Sequence, residues 1–525
     1  MDFSMHIKNF CKLFILGLML AGCTTPHGRW SVDDTNATTV PAALQYGTFE
    51  DDSSHRMAVL LPMTGDAAAT GKSIRTSVEM ATLAAGANNL TVSFFDSNLG
   101  ADAINDVLSS NPEVVVGPLF ANDVRALKSE KSSSLPVLSF TSDATAVGDG
   151  VMTMNLMPTN SVEAIVKEMQ NDKRGNFVIL APDTDSGHVL AGVAKSASKI
   201  YGVPLVGVFF YDERDTESIK YATQKASMNV ARVAAHTRAR EVLSDILTNE
   251  TVTAIERSSI IRQLDNLNKK DVIGNLPYDA VLFLGTGEDT KSLASFMRYF
   301  GVGSRDAKFY GTAMWDGTDV VSDLTMSGAK YAALVDTDAD FVTAYEKVSG
   351  EKPNRLASIG YDATNMAIGM IYSDKSHAAY LLDPSGYNGV DGIVRIRPSG
   401  DSERALRIIE LNGTDEPKVV SDAATDFMTP LYNIEQRHVS PVEEMPLQTR
   451  GVNTMNYIRI PERFRDKYSS KTYGANMTEE SNAKTVDIVS VVPEDNRGAV
   501  VNENYKPVKL APVKQTLIDS IEVEE

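Results

Sequence analysis

Between residues 56 and 211, short unbroken apolar runs alternate with segments whose apolar residues recur every three to four positions. The first run, 57–61, reads Met-Ala-Val-Leu-Leu and is closed by Pro62. A run of that length is the pattern of a strand buried on both faces of a parallel sheet. Thr64, Gly65 and Asp66 make a turn, with an acceptor side chain placed to cap a helix start. Ile74, Val78, Ala81 and Ala85 then mark one apolar helix face. The unit repeats, with strands at 91–95, 113–116 and 136–140 and helices at 103–108 and 123–129 between them. Such alternation predicts a parallel sheet covered by helices on both faces.

A second alternation begins after Met157-Pro158: helix 162–169, strand 177–181, helix 189–200 and strand 205–211. After an interruption it resumes with strands at 280–284 and 309–311 around a helix at 290–300. Two such halves joined by short crossovers predict two α/β lobes around a cleft. Ligands of open α/β sheets bind beyond the carboxyl ends of the strands. Thr64, Asn122, Ser139, Thr141 and Ser142 fall there in the first half, Asp183 and Trp315 in the second. Asp183 and Asp185 read either as paired carboxylates or as helix caps. Trp315 reads either as a ring stacking on a ligand or as part of the cleft wall. Tyr361 and Asp362 open a helix with Ala363, Met366, Ala367 and Met370 on its apolar face, and are expected to fix it near the hinge.

The interruption, 212–275, is charged and helical, with stripes at Val242, Leu243, Ile246, Leu247 and at Ile260, Ile261, Leu264, Leu267. Thr253 and Glu256 have capping-box spacing. This insert decorates the second lobe or docks a protein partner. Residues 24–55 read as a flexible tether, and 429–525, rich in Pro, Asn, Glu and Lys, as a mostly disordered tail.

The N-terminus has signal-peptide flanks: Lys8 and Lys12, a short apolar run at 13–20, then Leu20-Ala21-Gly22-Cys23. Those four residues resemble the bacterial lipobox. The resemblance implies that 1–23 is a lipoprotein signal segment cut before Cys23, which becomes the acylated first residue of the mature protein, and that Thr24 favours delivery to the outer membrane. The chain carries 69 acidic against 50 basic residues, a net charge of −19, which excludes nucleic acid as a partner.

Catalytic patterns are missing from the sequence. Five residues, Asp66 to Thr70, lie between Gly65 and Gly71 where a phosphate loop has four, with Asp66 where phosphate would sit. The histidines after Cys23 (His27, His55, His188, His236, His377, His438) include no i, i+4 pair, and no zinc-type Cys/His spacing occurs. There is no G-x-S-x-G elbow. The expectation is a protein without catalysis, cofactor or metal.

The strand-and-helix segment 57–81, the strands at 114–119 and 136–140, and the segments 311–315, 355–363, 389–396 and 400–406 together resemble the type 1 periplasmic binding protein fold. Within it, they look most like the lipoproteins of alphaproteobacteria called penicillin-binding protein activators. The resemblance covers 56–420 and implies lobe 1 at 56–157 plus 336–383 and lobe 2 at 158–335 plus 384–428. It also implies an outer-membrane lipoprotein that stimulates a bifunctional penicillin-binding protein by contact. The alternative is a solute-binding lipoprotein for a small polar ligand. Leu119 to Asn122 lacks the hydroxyl pair with which amino-acid-binding members grip a carboxylate.

Overall fold

In the computed structural model, residues 54–468 are described, apart from 88, 415, 436–438 and 448–451. Cys23, the signal segment, most of the tether and the chain after 468 lie outside the described residues.

The first lobe is built from β1 (His55–Leu61), α1 (Ala68–Ala85), β2 (Leu90–Asp96), α2 (Ala101–Ser109), β3 (Val114–Val116), α3 (Ala121–Glu130), β4 (Val137–Ser139) and β5 (Val151–Thr153). The five strands pair in parallel in the order β2-β1-β3-β4-β5. Met57, Val59 and Leu61 face one side with Val114, Val116, Ile74 and Val78, while Ala58 and Leu60 face the other with Ile104 and Val107. That two-sided burial is what the unbroken apolar runs predict. β1 begins at His55, whose ring lies 3.0 Å from Glu113, so the fold starts where the tether was expected to end. Asp66 does not cap α1. The N-cap is Ala67, without a side-chain bond.

The second lobe runs α4 (Pro158–Asn171), β6 (Phe177–Pro182), α5 (Asp185–Tyr201), β7 (Leu205–Tyr211), α6 (Thr216–Ala226), α7 (Asn229–Leu247), α8 (Ala254–Leu267), β8 (Ala280–Phe283), α9 (Gly287–Tyr299), β9 (Lys308–Gly311) and β10 (Lys330–Ala333). Its sheet continues through two antiparallel strands, β14 (Arg407–Glu410) and β15 (Lys418–Ser421), in the order β15-β14-β10-β9-β8-β6-β7.

Between them the chain returns to the first lobe as α10 (Ala339–Ser349), α11 (Arg355–Ile371) and α12 (His377–Leu381). The side chains of Ile359, Ala363, Met366 and Ala367 on α11 share a core with Ile74 and Val78 of α1. Gly360 lets the two helices approach, since a Cβ there would press on Ile74. A three-stranded antiparallel sheet, β11 (Tyr387–Gly389), β12 (Gly392–Ile396) and β13 (Ser402–Arg404), occupies the crossover region.

Two expectations are corrected. Within 212–275, α6 is not an addition: Ile219, Ala222 and Ala226 pack on β6 and β7 as an ordinary crossover helix. The added element is the α7–α8 hairpin. The capping box of α8 forms as read, with Thr253 and Glu256 exchanging bonds. The His236 ring ties the hairpin together on the Leu267 carbonyl at 2.9 Å, and buried Arg232 ties it to the lobe through the carbonyls of Phe300 and Gly301.

The tail is ordered further than expected. Residues 430–435 and 439–447 run as a strap across the second lobe, with Tyr432, Ile434 and Val442 buried in its core. Glu163 of α4 accepts the amides of Asn433 at 2.8 Å and Ile434 at 2.9 Å. Glu403 of β13 accepts those of Leu431 at 2.6 Å and Tyr432 at 3.1 Å. Arg397 donates to the carbonyls of Tyr432 and Ile434. Strap backbone is thus satisfied largely by side chains rather than a ladder, which leaves neither a 2.0 nor a 3.6 period in the sequence. Residues from 460 form a separate unit, whose described part includes the short helix α13 (Glu462–Tyr468).

Candidate functional site

The carboxyl ends of the first sheet carry the hydroxyls singled out from the sequence, and most are already engaged. Ser139 is buried and donates to the Met152 carbonyl at 2.8 Å. Thr141 is buried, its Oγ1 accepting the Asp143 amide at 3.1 Å. Thr64 is exposed and donates to Asp96 at 2.7 Å. Asn122 and Ser142 are exposed. Strand-end hydroxyls do gather on this edge, but Ser139 ties β4 to β5 and Thr141 shapes the loop between them.

In the second lobe, Trp315 is fully buried among Phe283, Tyr331 and Gly311, as wall and not as a stacking surface. Asp183 is exposed and lies 2.8 Å from Nε2 of His188. It does not cap α5. That role belongs to Thr184, which accepts the Gly187 amide.

The sequence reading missed a cluster at the ends of β7 and β8. Tyr211 is buried with its hydroxyl unpartnered, over Gly285 and beside Asp289. Burial first, then the charges of Asp289 and Glu213, push that hydroxyl's pKa up. Partial burial and the neighbouring Asp289 likewise raise Glu213. Chemically, this is a buried phenol beside two neighbouring carboxylates.

It also missed the charged pairs around Tyr361 and Asp362. Arg355, heading α11 in the first lobe, reaches Asp391 at 2.9 Å and Asp316 of the second lobe at 3.3 Å. Asp391 is fully buried and also accepts from Ser358 at 2.5 Å and Thr337 at 2.7 Å. Behind it, Asp362 is fully buried and accepts the Val390 amide at 2.9 Å. Gly389 makes room, because a Cβ there would overlap the Asp362 carboxylate. Burial pushes Asp362 up to about 7; the Arg404 cation pulls against this and Asp391 adds to it. Arg404, itself buried, donates to the Met154 carbonyl at 2.8 Å and 3.1 Å. The expected role of Tyr361 and Asp362 near the hinge agrees with this placement, with Tyr361 packed on Phe341. Paired Arg and Asp within 355–363 and 389–404 were the available signal.

Among the described residues, no group of three His, Cys, Asp or Glu side chains is arranged to hold a metal ion, and no helix is long and apolar enough to cross a membrane.

The fold is that of the type 1 periplasmic binding proteins. A putative branched-chain amino acid ABC transporter protein from Rhodospirillum rubrum is similar over 70% of this chain and 100% of its own, at 17% identity and a TM-score of 0.51. Residues 31–240 match the model of the family described as LppC putative lipoprotein, in keeping with the resemblance read from the sequence. The LpoA C-domain from Haemophilus influenzae, described as a regulator of PBP1A, is similar over 69% of this chain and 100% of its own, at 16% identity and a TM-score of 0.47. No curated protein matches the chain in sequence.

Proposed function

We propose that this chain is a lipid-anchored, non-enzymatic protein of the periplasmic face of the outer membrane that activates a peptidoglycan synthase of the bifunctional penicillin-binding class by direct contact. The observation that carries the reading is the match of 31–240 to a lipoprotein family. The occupied cleft hydroxyls and the inward-packed Trp315 fit a protein that has given up part of a solute site. The α6–α8 region offers exposed apolar side chains, Tyr221, Val230, Val233 and Ile255, of the kind partners cover. Activation by contact requires tighter binding to one state of the synthase than to others. The test is co-purification of the full lipidated chain from detergent-solubilised envelope, followed by mass spectrometry. Recovery of a bifunctional synthase by the full chain, and its loss on deleting the α7–α8 hairpin, is the expected result. Absence of any synthase would sink the reading.

One observation favours a second reading, a receptor for a small polar ligand. The unpartnered Tyr211 hydroxyl beside Asp289 and Glu213 fits a ligand ammonium. A panel of free amino acids raising the melting temperature of the wild type, but not of Asp289→Asn, would favour it.

A further inference from the structure

The His188 ring stands between two groups that can only accept. Its Nε2 lies 2.8 Å from Oδ1 of the Asp183 carboxylate, and its Nδ1 lies 2.8 Å from the Val442 carbonyl of the strap. A neutral imidazole has one N–H and satisfies one of them, leaving a ring lone pair facing an oxygen. Only the imidazolium satisfies both. We propose that the strap is a proton-operated latch, in which residues 439–447 dock on the second lobe when His188 is doubly protonated and loosen when it loses a proton.

The surroundings suit a cation. The charged groups facing the ring are Asp183, from the loop after β6, and Glu443, from the strap. From β7 comes the Phe210 ring, stacked at 3.8 Å with 16° between planes, a geometry that favours a cation over its face. The hydrogen bond to Asp183, followed by the Val442 carbonyl and the Asp183 and Glu443 charges, raises the His188 pKa; only partial burial opposes this. A pKa raised in the docked state means docking is favoured fully below the ordinary value near 6.5, and that this gain is lost as pH rises through the docked value.

The same segment is seated by backbone fit. Gly192 on α5 admits it, since a Cβ there would collide with the Ser440 carbonyl and the Val439 side chain. Met445 exchanges two backbone hydrogen bonds with Val208 of β7, each 2.9 Å, and Glu444 pairs with Lys225 of α6 at 2.5 Å. Because 430–434 is held separately by Glu163, Glu403 and Arg397, the opening is confined to 439–447.

Hydrogen exchange of the full chain, read by mass spectrometry at about pH 5.5 and about pH 8 and corrected for intrinsic rates, tests this. Protection of peptides covering 439–447 is expected to fall several-fold at the higher pH, while β6 peptides keep theirs. In His188→Gln, which cannot titrate, the 439–447 protection is expected to be equal at both pH values. A wild-type strap whose protection does not change with pH overturns the proposal, as does an unchanged pH dependence in His188→Gln. The wild-type comparison stands alone if the variant folds poorly.

Discussion

At the residue scale, Asp362 is the group whose ionisation the fold resists most plainly. It is fully buried, with a pKa pushed up to about 7 against an ordinary value of 3.8. The folded chain therefore holds a proton that the unfolded chain releases, so stability falls as pH climbs from about 4 to about 7, by at most about 1.4 kcal/mol per unit. Asp362→Asn is expected to flatten the melting-temperature profile over that window. Unchanged curvature would show that another group sets it. Glu163 is a buried acceptor that meets the amides of Asn433 and Ile434 and the Tyr201 hydroxyl. Glu163→Gln turns an amide toward those donors and is expected to cost about 1–3 kcal/mol in urea unfolding. Residue roles were the least legible level. A Ser or Thr after a strand reads identically whether its hydroxyl faces a ligand or, like Ser139, a neighbouring carbonyl.

At the element scale the sequence was most informative. All the strands expected between 57 and 211 are present, because burial on both faces leaves an uninterrupted apolar signature that needs no partner to recognise. β5, Val151–Thr153, was missed because it follows directly on Gly148-Asp149-Gly150, which reads as a turn. The strap was missed because extended chain bonded to side chains has no period. Its one local signal is Gly192, inside an otherwise good helix, where Gly is unfavourable unless something must come close. Gly192→Leu is expected to push 439–447 off the lobe, seen as new protease cuts there with the sheet intact. Unchanged digestion would mean the helix and strap can part without loss.

At the scale of the whole molecule, two lobes follow from the alternation and the return of the chain between them from the family resemblance, but their mutual orientation follows from neither. Orientation is held by pairs remote in sequence, chief among them Arg355 with Asp316 and Asp391. The Asp316 contact joins the first lobe to the second and is partly exposed. Asp316→Ala is therefore expected to leave stability within about 1 kcal/mol. It is also expected to broaden the distance distribution between spin labels placed on α2 and α9. A distribution as narrow as the wild type would assign closure to the crossovers themselves.

The strap also bears on where the chain can be cut. β7 is the last strand of its sheet, and the Met445–Val208 bonds lie along its outer side. An uncovered edge strand offers backbone donors and acceptors to any other chain, the usual route to edge-to-edge association. A fragment ending at residue 428, where sequence pattern alone places the domain boundary, would present Leu205–Tyr211 bare. Such a fragment is expected to scatter light increasingly with concentration, while one ending at 459 stays monodisperse. For this fold, the segment least like a domain by composition is what covers the open edge of its larger sheet.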